Sequence, residues 1–258
     1  MREAGFSVDV YEGEEITVEF YRTLPTKGYQ LILFRTHSTS TFVKTLTSGP
    51  VVLYTSELYE ENKYVREQLA NRIKPVIPLY DPSAGPSTGS GHPDDSPLYF
   101  AIAPGFVSRD MIGRFEETLL IIGGCDILGK VDLAQAFIER GASTVVGWNE
   151  WVDIPHNDKV LLHLLRGLTV EELTTEQAVT KTMNEIGPDP AYRSFLTYFP
   201  RGKKTALVDQ VVSTYPNPEF TDQALAYLRE AGFSVDVYEG EEITVEFYRT
   251  LSAKGYQL

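Results

Sequence analysis

The feature that most constrains this chain of 258 residues is an internal repeat near its two ends. Residues 2–31 recur as residues 229–258, an offset of 227 positions, and the copies agree at 28 of 30 positions. Only Pro25/Ser252 and Thr26/Ala253 differ. An offset of this size is that of a whole domain and not of a solenoid unit. The repeat therefore indicates one full period and the beginning of the next, as in a tandem array or a permuted frame of one domain.

The order of strands and helices within one period begins in the segment that precedes the second copy. Residues 205–212 are an apolar strand candidate, and Asn217-Pro218 supplies an N-cap and a first-turn proline for a helix. The alternating segment 233–238, like its copy 6–11, predicts a second strand. A helix at about 17–24, ended by Gly28, leads to a third strand at 29–34. We therefore divide the chain into residues 1–202, a domain without its first strand and helix, and residues 203–258, the start of the next period.

Strands and helices continue to alternate along the rest of the period. Strands are predicted at 51–54, 98–102, 118–122 and 143–147, and helices at 63–73, 131–140, 158–165 and 175–186. The Pro/Gly/Ser/Asp-rich segment 81–96 predicts an exposed loop. This alternation predicts an α/β fold with a mainly parallel sheet and helices on both faces, in which ligands bind at the carboxyl ends of the strands.

Composition excludes several classes of function. A formal net charge of −13 argues against a nucleic-acid partner, because phosphate contacts need clustered Lys and Arg. No apolar run is close to the length of about 18 residues that a membrane-spanning helix needs. The N-terminus lacks the pattern of a signal peptide, which favours a cytoplasmic protein. One cysteine excludes an internal disulfide framework, no spacing predicts a metal site, and no cofactor is expected.

The single cysteine is the strongest candidate for chemistry. Cys125 follows a buried strand, and His37 follows another, so that both lie just past strand ends where they can meet. A thiol nucleophile needs a base such as His37. The flexible Gly123-Gly124 pair permits close approach of a substrate, and the amides near Cys125 and Ser38 can form an oxyanion hole. The alternative is that Cys125 is a small buried apolar residue.

Three segments carry a resemblance to a known family. Leu31-Ile-Leu-Phe-Arg-Thr-His37-Ser38 resembles the strand and His-Gly/Ser block of caspase-like cysteine peptidases, and Leu119-Leu-Ile-Ile-Gly-Gly-Cys125 resembles their strand and Cys block. The helix and strand of residues 132–148 resemble the segment after the nucleophile in CHAT-type members. The likeness runs from Tyr29 to about Gly187. It implies a caspase-like three-layer sandwich and a Cys125-His37 dyad that cleaves peptide bonds, with Ser38 in place of the commoner glycine.

Substrate contacts are predicted around the strand end at residue 147. Trp148 and Trp151 either wall a substrate pocket or cap the core. Glu150, Asp126 and Asp153 would favour a basic side chain at the cleavage position, because opposite charges pair. His156 is placed in the same loop and interpreted as structural. The expected partner is a peptide or protein substrate.

Two other functions compete with the peptidase. A catalytically inactive caspase-fold module would bind or scaffold other proteins, which suits a repeated chain. Residues 124–131 nearly spell a P-loop, but Val131 stands where a nucleotide site needs Ser or Thr for magnesium, which makes this the weakest alternative. Thiol reactivity discriminates the first two, since a dyad thiol reacts faster than a free thiol and a buried structural thiol reacts more slowly.

The duplicate poses a problem of strand placement. We expect residues 205–231 to fold back into the first-strand position while residues 6–11 keep the second-strand position, since long loops cost little additional closure entropy. Residues 233–258 are then surplus and loosely packed. Their apolar side chains favour self-association or exchange with a neighbouring chain.

Overall fold

The larger of two β-sheets organises the fold. The computed structural model describes residues 7–42, 47–77, 97–200, 210–213, 218–230 and 234–235. Seven strands form this sheet in the order β11-β1-β10-β2-β7-β8-β9, and every neighbouring pair is parallel except β8 and β9. The strands are β1 (Ser7–Glu12), β2 (Leu31–Arg35), β7 (Leu119–Gly123), β8 (Thr144–Trp148), β9 (Leu196–Phe199), β10 (Gln210–Ser213) and β11 (Ser234–Val235). The expectation of an α/β fold with a mainly parallel sheet is confirmed.

A second, smaller sheet follows His37 and was not expected from the sequence. It contains β3 (Ser38–Phe42), β4 (Thr47–Leu58), β5 (Ile73–Val76) and β6 (Tyr99–Ile102). Its order is β3-β4-β6-β5 and all pairs are antiparallel. The predicted strands at 51–54 and 98–102 belong here and not to the parallel sheet. Periodicity identified them as strands, but it carries no information about which sheet a strand joins.

Helices cover both faces of the large sheet. These helices are α1 (Val18–Thr23), α3 (Pro104–Arg109), α4 (Asp132–Glu139), α5 (Ile154–Thr169), α6 (Thr175–Glu185) and α7 (Pro218–Glu230), whereas the short α2 (Val65–Leu69) contacts β5 of the smaller sheet. Alternate residues of one strand enter different cores because side chains alternate along a strand. Ile32 and Phe34 pack in the core that contains apolar residues of α1, α3 and α4, whereas Leu31 and Leu33 pack with those of α5, α6 and α7. None of the described helices has the length and apolar character needed to cross a membrane.

Several helix boundaries follow from local chemistry. The Thr17 side chain accepts a hydrogen bond from the Phe20 amide at 3.1 Å and caps α1, and Gly28 takes a left-handed conformation (φ 73°) after the short 3-10 turn that follows. The predicted helix at 63–73 is much shorter, because Ile73 instead enters β5 and is buried. The helix predicted at 158–165 begins earlier, at Ile154. The sequence reading missed α3 and β9.

The few described residues of the second copy include a pair that lies beside the first copy. β10 joins the large sheet between β1 and β2, and the N-terminal copy supplies β1, as expected. At the sheet edge, Ser7 pairs with Ser234 and Val8 with Val235, which are equivalent positions of the two copies. Most of the surplus segment, like residues 201–209, the 81–96 loop and His92, lies outside the described residues.

Candidate functional site

The His37 and Cys125 segments meet at the carboxyl edge of the large sheet. β2 and β7 are parallel neighbours with Arg35 opposite Gly123, so His37 and Cys125 each stand two residues beyond a paired strand end. The Thr36 amide donates to the Gly123 carbonyl at 3.4 Å, and the Ser38 hydroxyl donates to the Cys125 carbonyl at 2.5 Å. The sheet therefore joins the backbones of two segments that are almost ninety residues apart in the sequence.

Gly124 and Ser38 lie at the closest approach of these segments. A Cβ atom at Gly124 would stand 2.4 Å from the Ser38 hydroxyl oxygen and 2.8 Å from the Thr36 carbonyl oxygen. No side chain fits there without movement of the His37 segment. Ser38 is buried, and its hydroxyl holds the cysteine segment through the Cys125 carbonyl.

His37 is partly buried beside an aromatic residue that the sequence reading missed. Its ring centroid lies 5.8 Å from that of Tyr54 in β4, and the Tyr54 amide donates to the His37 carbonyl at 3.1 Å. Burial, with a smaller effect of the Arg35 charge, lowers the pKa of His37 to about 4. The imidazole is therefore neutral at pH 7 and able to accept a proton.

The Cys125 thiol is partly buried and protonated at neutral pH. Its Sγ atom lies 3.8 Å from the Val152 carbonyl oxygen. Burial raises the pKa of the thiol, and the negative charges of Asp126 and Asp189 raise it further. Burial raises the pKa of the Tyr54 phenol, and a charge on Cys125 would raise it further.

Asp126 shapes the loop after Cys125. It has a left-handed backbone (φ 60°), its amide donates to the Glu150 carbonyl at 3.0 Å, and its carboxylate accepts a hydrogen bond from the Ser40 hydroxyl. A Cβ atom at Gly129 would collide with this carboxylate and with the Asn149 carbonyl. Asp126 thus has a structural partner, which weakens its predicted role in substrate binding.

The near-P-loop of residues 124–131 has contacts that are unfavourable for binding a phosphate. The Asp126 carboxylate lies against Gly129, where it would repel an anion, and the Lys130 ammonium donates to the Gly49 carbonyl at 2.8 Å. These contacts argue against nucleotide binding at this loop. Among the described residues there is also no group of three or more His, Cys, Asp or Glu side chains that could hold a metal ion.

The two tryptophans have different environments. Trp148 is fully buried, and its Nε1–H donates to the Asn157 side-chain oxygen at 2.8 Å. The expectation that Trp148 contacts substrate is therefore corrected: it belongs to the core because β8 turns its side chain toward α5. His156 lies in the first turn of α5 and not in a loop, with its ring centroid 5.7 Å from that of Trp148.

Trp151 is exposed beside the thiol segment. It precedes Val152, whose carbonyl contacts Cys125, and its ring centroid lies 6.1 Å from that of the exposed Tyr192. Glu150 is exposed on the same loop. The fully buried Asp189 holds this arrangement, because its carboxylate accepts hydrogen bonds from the amides of Asp153 (2.9 Å) and Tyr192 (2.7 Å).

Tyr192 and Asp189 were missed by the sequence reading. They lie after α6, about forty residues from Trp151, and no periodic pattern connects them. Comparison of the chain with protein-family models, with curated proteins and with solved structures gives no match.

Proposed function

We propose that this protein is a caspase-like cysteine peptidase in which Cys125 is the nucleophile and His37 the base. The observation that carries the proposal is the junction of the two segments, where β2 and β7 end side by side and Ser38 bonds to the Cys125 carbonyl. Helices on both faces of a mainly parallel sheet support the caspase-like three-layer sandwich that the sequence resemblance implies. In this proposal the two side chains face each other across one cleft.

The proton states define the chemistry of the proposed dyad. The pKa of Cys125 is raised and that of His37 is lowered, so the resting pair is thiol and neutral imidazole. Neutral His37 accepts the thiol proton as Sγ bonds to the scissile carbonyl carbon. The imidazolium then returns the proton to the leaving amine as the C–N bond breaks, and water hydrolyses the thioester.

Backbone donors complete the proposed mechanism. The carbonyl oxygen of the substrate becomes negative in the tetrahedral intermediate and needs hydrogen-bond donors. We assign this role to the amides near Cys125 and Ser38. Gly124 lets the His37 segment lie close to the Cys125 segment, because a side chain at residue 124 would collide with Ser38 and Thr36.

The exposed surface next to the thiol favours a basic side chain in the substrate. Trp151 and Tyr192 offer ring faces that attract a cation, and the exposed Glu150 adds a negative charge. We therefore propose a peptide or protein substrate with Lys or Arg before the cleaved bond.

The test is cleavage of a mixed peptide library, followed by mass spectrometry. We expect cleavage after Lys or Arg by the full chain, and loss of that cleavage in Cys125→Ala and in His37→Ala. Glu150→Gln should weaken cleavage without abolishing it. Cleavage that persists in Cys125→Ala, or none by the full chain under any condition, would refute the peptidase.

A catalytically inactive binding module is the second candidate. The specific observation in its favour is the proton state of the pair, because a raised thiol pKa and a lowered imidazole pKa disfavour the reactive thiolate. This candidate predicts that the library stays intact while the chain retains its fold. The cleavage experiment therefore separates the two functions.

A further inference from the structure

Two consecutive residues of α5 bind the ends of three neighbouring strands. Asp158 forms a two-point ion pair with Arg35, the last residue of β2, with distances of 2.7 Å to Nε and 2.8 Å to Nη2. Arg35 is 2% exposed, and its guanidinium also lies 5.4 Å from the centroid of the Phe220 ring. The strand that leads to His37 is therefore fixed to α5 at its last residue.

Asn157 makes the corresponding contacts with β7 and β8. Its side-chain Nδ2 donates to the Gly123 carbonyl at 3.5 Å, and its Oδ1 accepts from Trp148 Nε1 at 2.8 Å. Gly123 and Trp148 are the last residues of these strands. A Cβ atom at Gly123 would stand 3.0 Å from both polar atoms of the Asn157 side chain, so Asn157 packs directly on the backbone that leads to Cys125.

We propose that Asn157 and Asp158 are positioning residues that set the spacing between His37 and Cys125. The proposal rests on the proposed function, since spacing matters only if the two residues act together. Asp158 holds the segment of the base, and Asn157 holds the segment of the nucleophile. Because both belong to one helix, the two segments share a rigid support.

The free-energy cost of placing the Arg35–Asp158 ion pair in a largely buried site indicates a role beyond stability. An ion pair that is largely buried rarely stabilises a fold more than apolar residues of similar volume would, and here Arg35 loses its hydration while Asp158 is only partly enclosed. A fixed spacing has a chemical use, since a displacement of about 1 Å can lower a reaction rate by about a hundredfold.

The main experiment uses the fact that the chain has one cysteine. His37→Cys introduces a single partner for Cys125, and equilibration with glutathione gives the effective concentration of the two thiols. We expect the full-length His37→Cys chain to form this disulfide. Adding Asn157→Leu, or the pair Arg35→Met and Asp158→Leu, should lower the effective concentration about tenfold or more.

A matched control separates positioning from general stability. Arg72 and Asp110 form another partly buried Arg–Asp pair, which joins the start of β5 to the end of α3. Asp110→Asn should lower stability and leave the effective concentration unchanged. If either variant at Asn157 or at Arg35 and Asp158 is folded and keeps the parent value, the positioning role is wrong while the dyad stands. If the parent itself forms no disulfide, the dyad geometry fails and the positioning role fails with it.

Discussion

At the scale of single residues, burial decides the chemistry of the candidate site. His37 and Cys125 are both partly enclosed, and desolvation disfavours the charged form of each. Both side chains are therefore uncharged in the resting protein. Tyr54 adds to the enclosure of His37, with the two ring centroids 5.8 Å apart.

We expect His37 to make the fold sensitive to mild acid. Its pKa is lowered to about 4 in the folded state, so the unfolded chain binds a proton between about pH 6.5 and pH 4 and the folded chain does not. The contribution of His37 to the free energy of unfolding is therefore complete at neutral pH. It falls as the pH decreases through this window, by about 2 kcal/mol between pH 7 and pH 5. Urea unfolding should show this loss in the native chain and a smaller loss in His37→Gln. Equal losses in the two proteins would contradict the buried neutral imidazole.

We expect Cys125 to react slowly in the resting protein, so thiol reactivity alone does not separate a peptidase with a neutral resting pair from an inactive module, and peptide cleavage makes that distinction. Burial raises its pKa above the ordinary value, which lowers the thiolate fraction at pH 7. Iodoacetamide should modify the folded chain more slowly than the same chain in urea, and the rate should still rise above pH 9. A faster reaction in the folded chain at pH 7 would show a preformed thiolate and would overturn the neutral resting pair.

At the scale of elements, glycines at two positions have opposite roles. Gly124 links β7 to Cys125 and touches the His37 segment, whereas Gly167 lies within α5, where a Cβ atom would make only ordinary contacts, the nearest at 3.5 Å from Ala178. Residue 124 must be glycine because a side chain would collide with the His37 segment, whereas residue 167 has space for a side chain.

We expect Gly124→Ala to destabilise the fold and Gly167→Ala to stabilise it. The added methyl group at residue 124 meets the Thr36 backbone, and overpacking of this kind costs about 1–3 kcal/mol. In a helix interior, alanine is more favourable than glycine by about 0.5–1 kcal/mol. The free energies of unfolding in urea check both signs. A stable Gly124→Ala protein would show that the two segments are less tightly packed than the structure indicates.

At the scale of the whole molecule, the duplicated segment competes for one position in the sheet. The N-terminal copy supplies β1, between β10 and the two described residues of β11. The N-terminal copy also contributes buried side chains of β1 and α1 to both cores. The C-terminal copy contributes an edge contact to β1 through Ser234 and Val235.

We expect truncation after Gly232 to leave a folded domain with unchanged Cys125 reactivity. The deletion removes an edge strand, whereas deletion of residues 1–28 removes β1 and α1. Circular dichroism, thermal unfolding and size-exclusion chromatography provide the comparison. We also expect the full chain to self-associate more than the truncated chain, because the surplus copy carries a second β1 sequence and apolar side chains. If the C-terminal truncation unfolds the protein and the N-terminal deletion does not, the two copies have the reverse roles.

The sequence by itself determined the elements whose pattern is local. The buried runs of β2 and β7, the amphipathic α4 and the Gly28 stop after α1 depend on neighbours within a few residues, so periodicity and turn chemistry predict them. The same logic placed His37 and Cys125 just beyond strand ends. The repeat indicated that the β10 segment belongs to the same domain, but the position of β10 between β1 and β2 came from the structure.

Tertiary structure alone decided the contacts that give the candidate site its character. It brought Tyr54 to His37 through an antiparallel sheet, buried Trp148 while exposing Trp151, and placed Asn157 and Asp158 against the ends of β7 and β2. Apart from the hydrogen bond between Trp148 and Asn157, each of these contacts joins residues that are more than fifteen positions apart in the sequence. Such pairs leave no local signal, because the energy that forms them comes from packing whole elements together and not from any preference of the residues themselves.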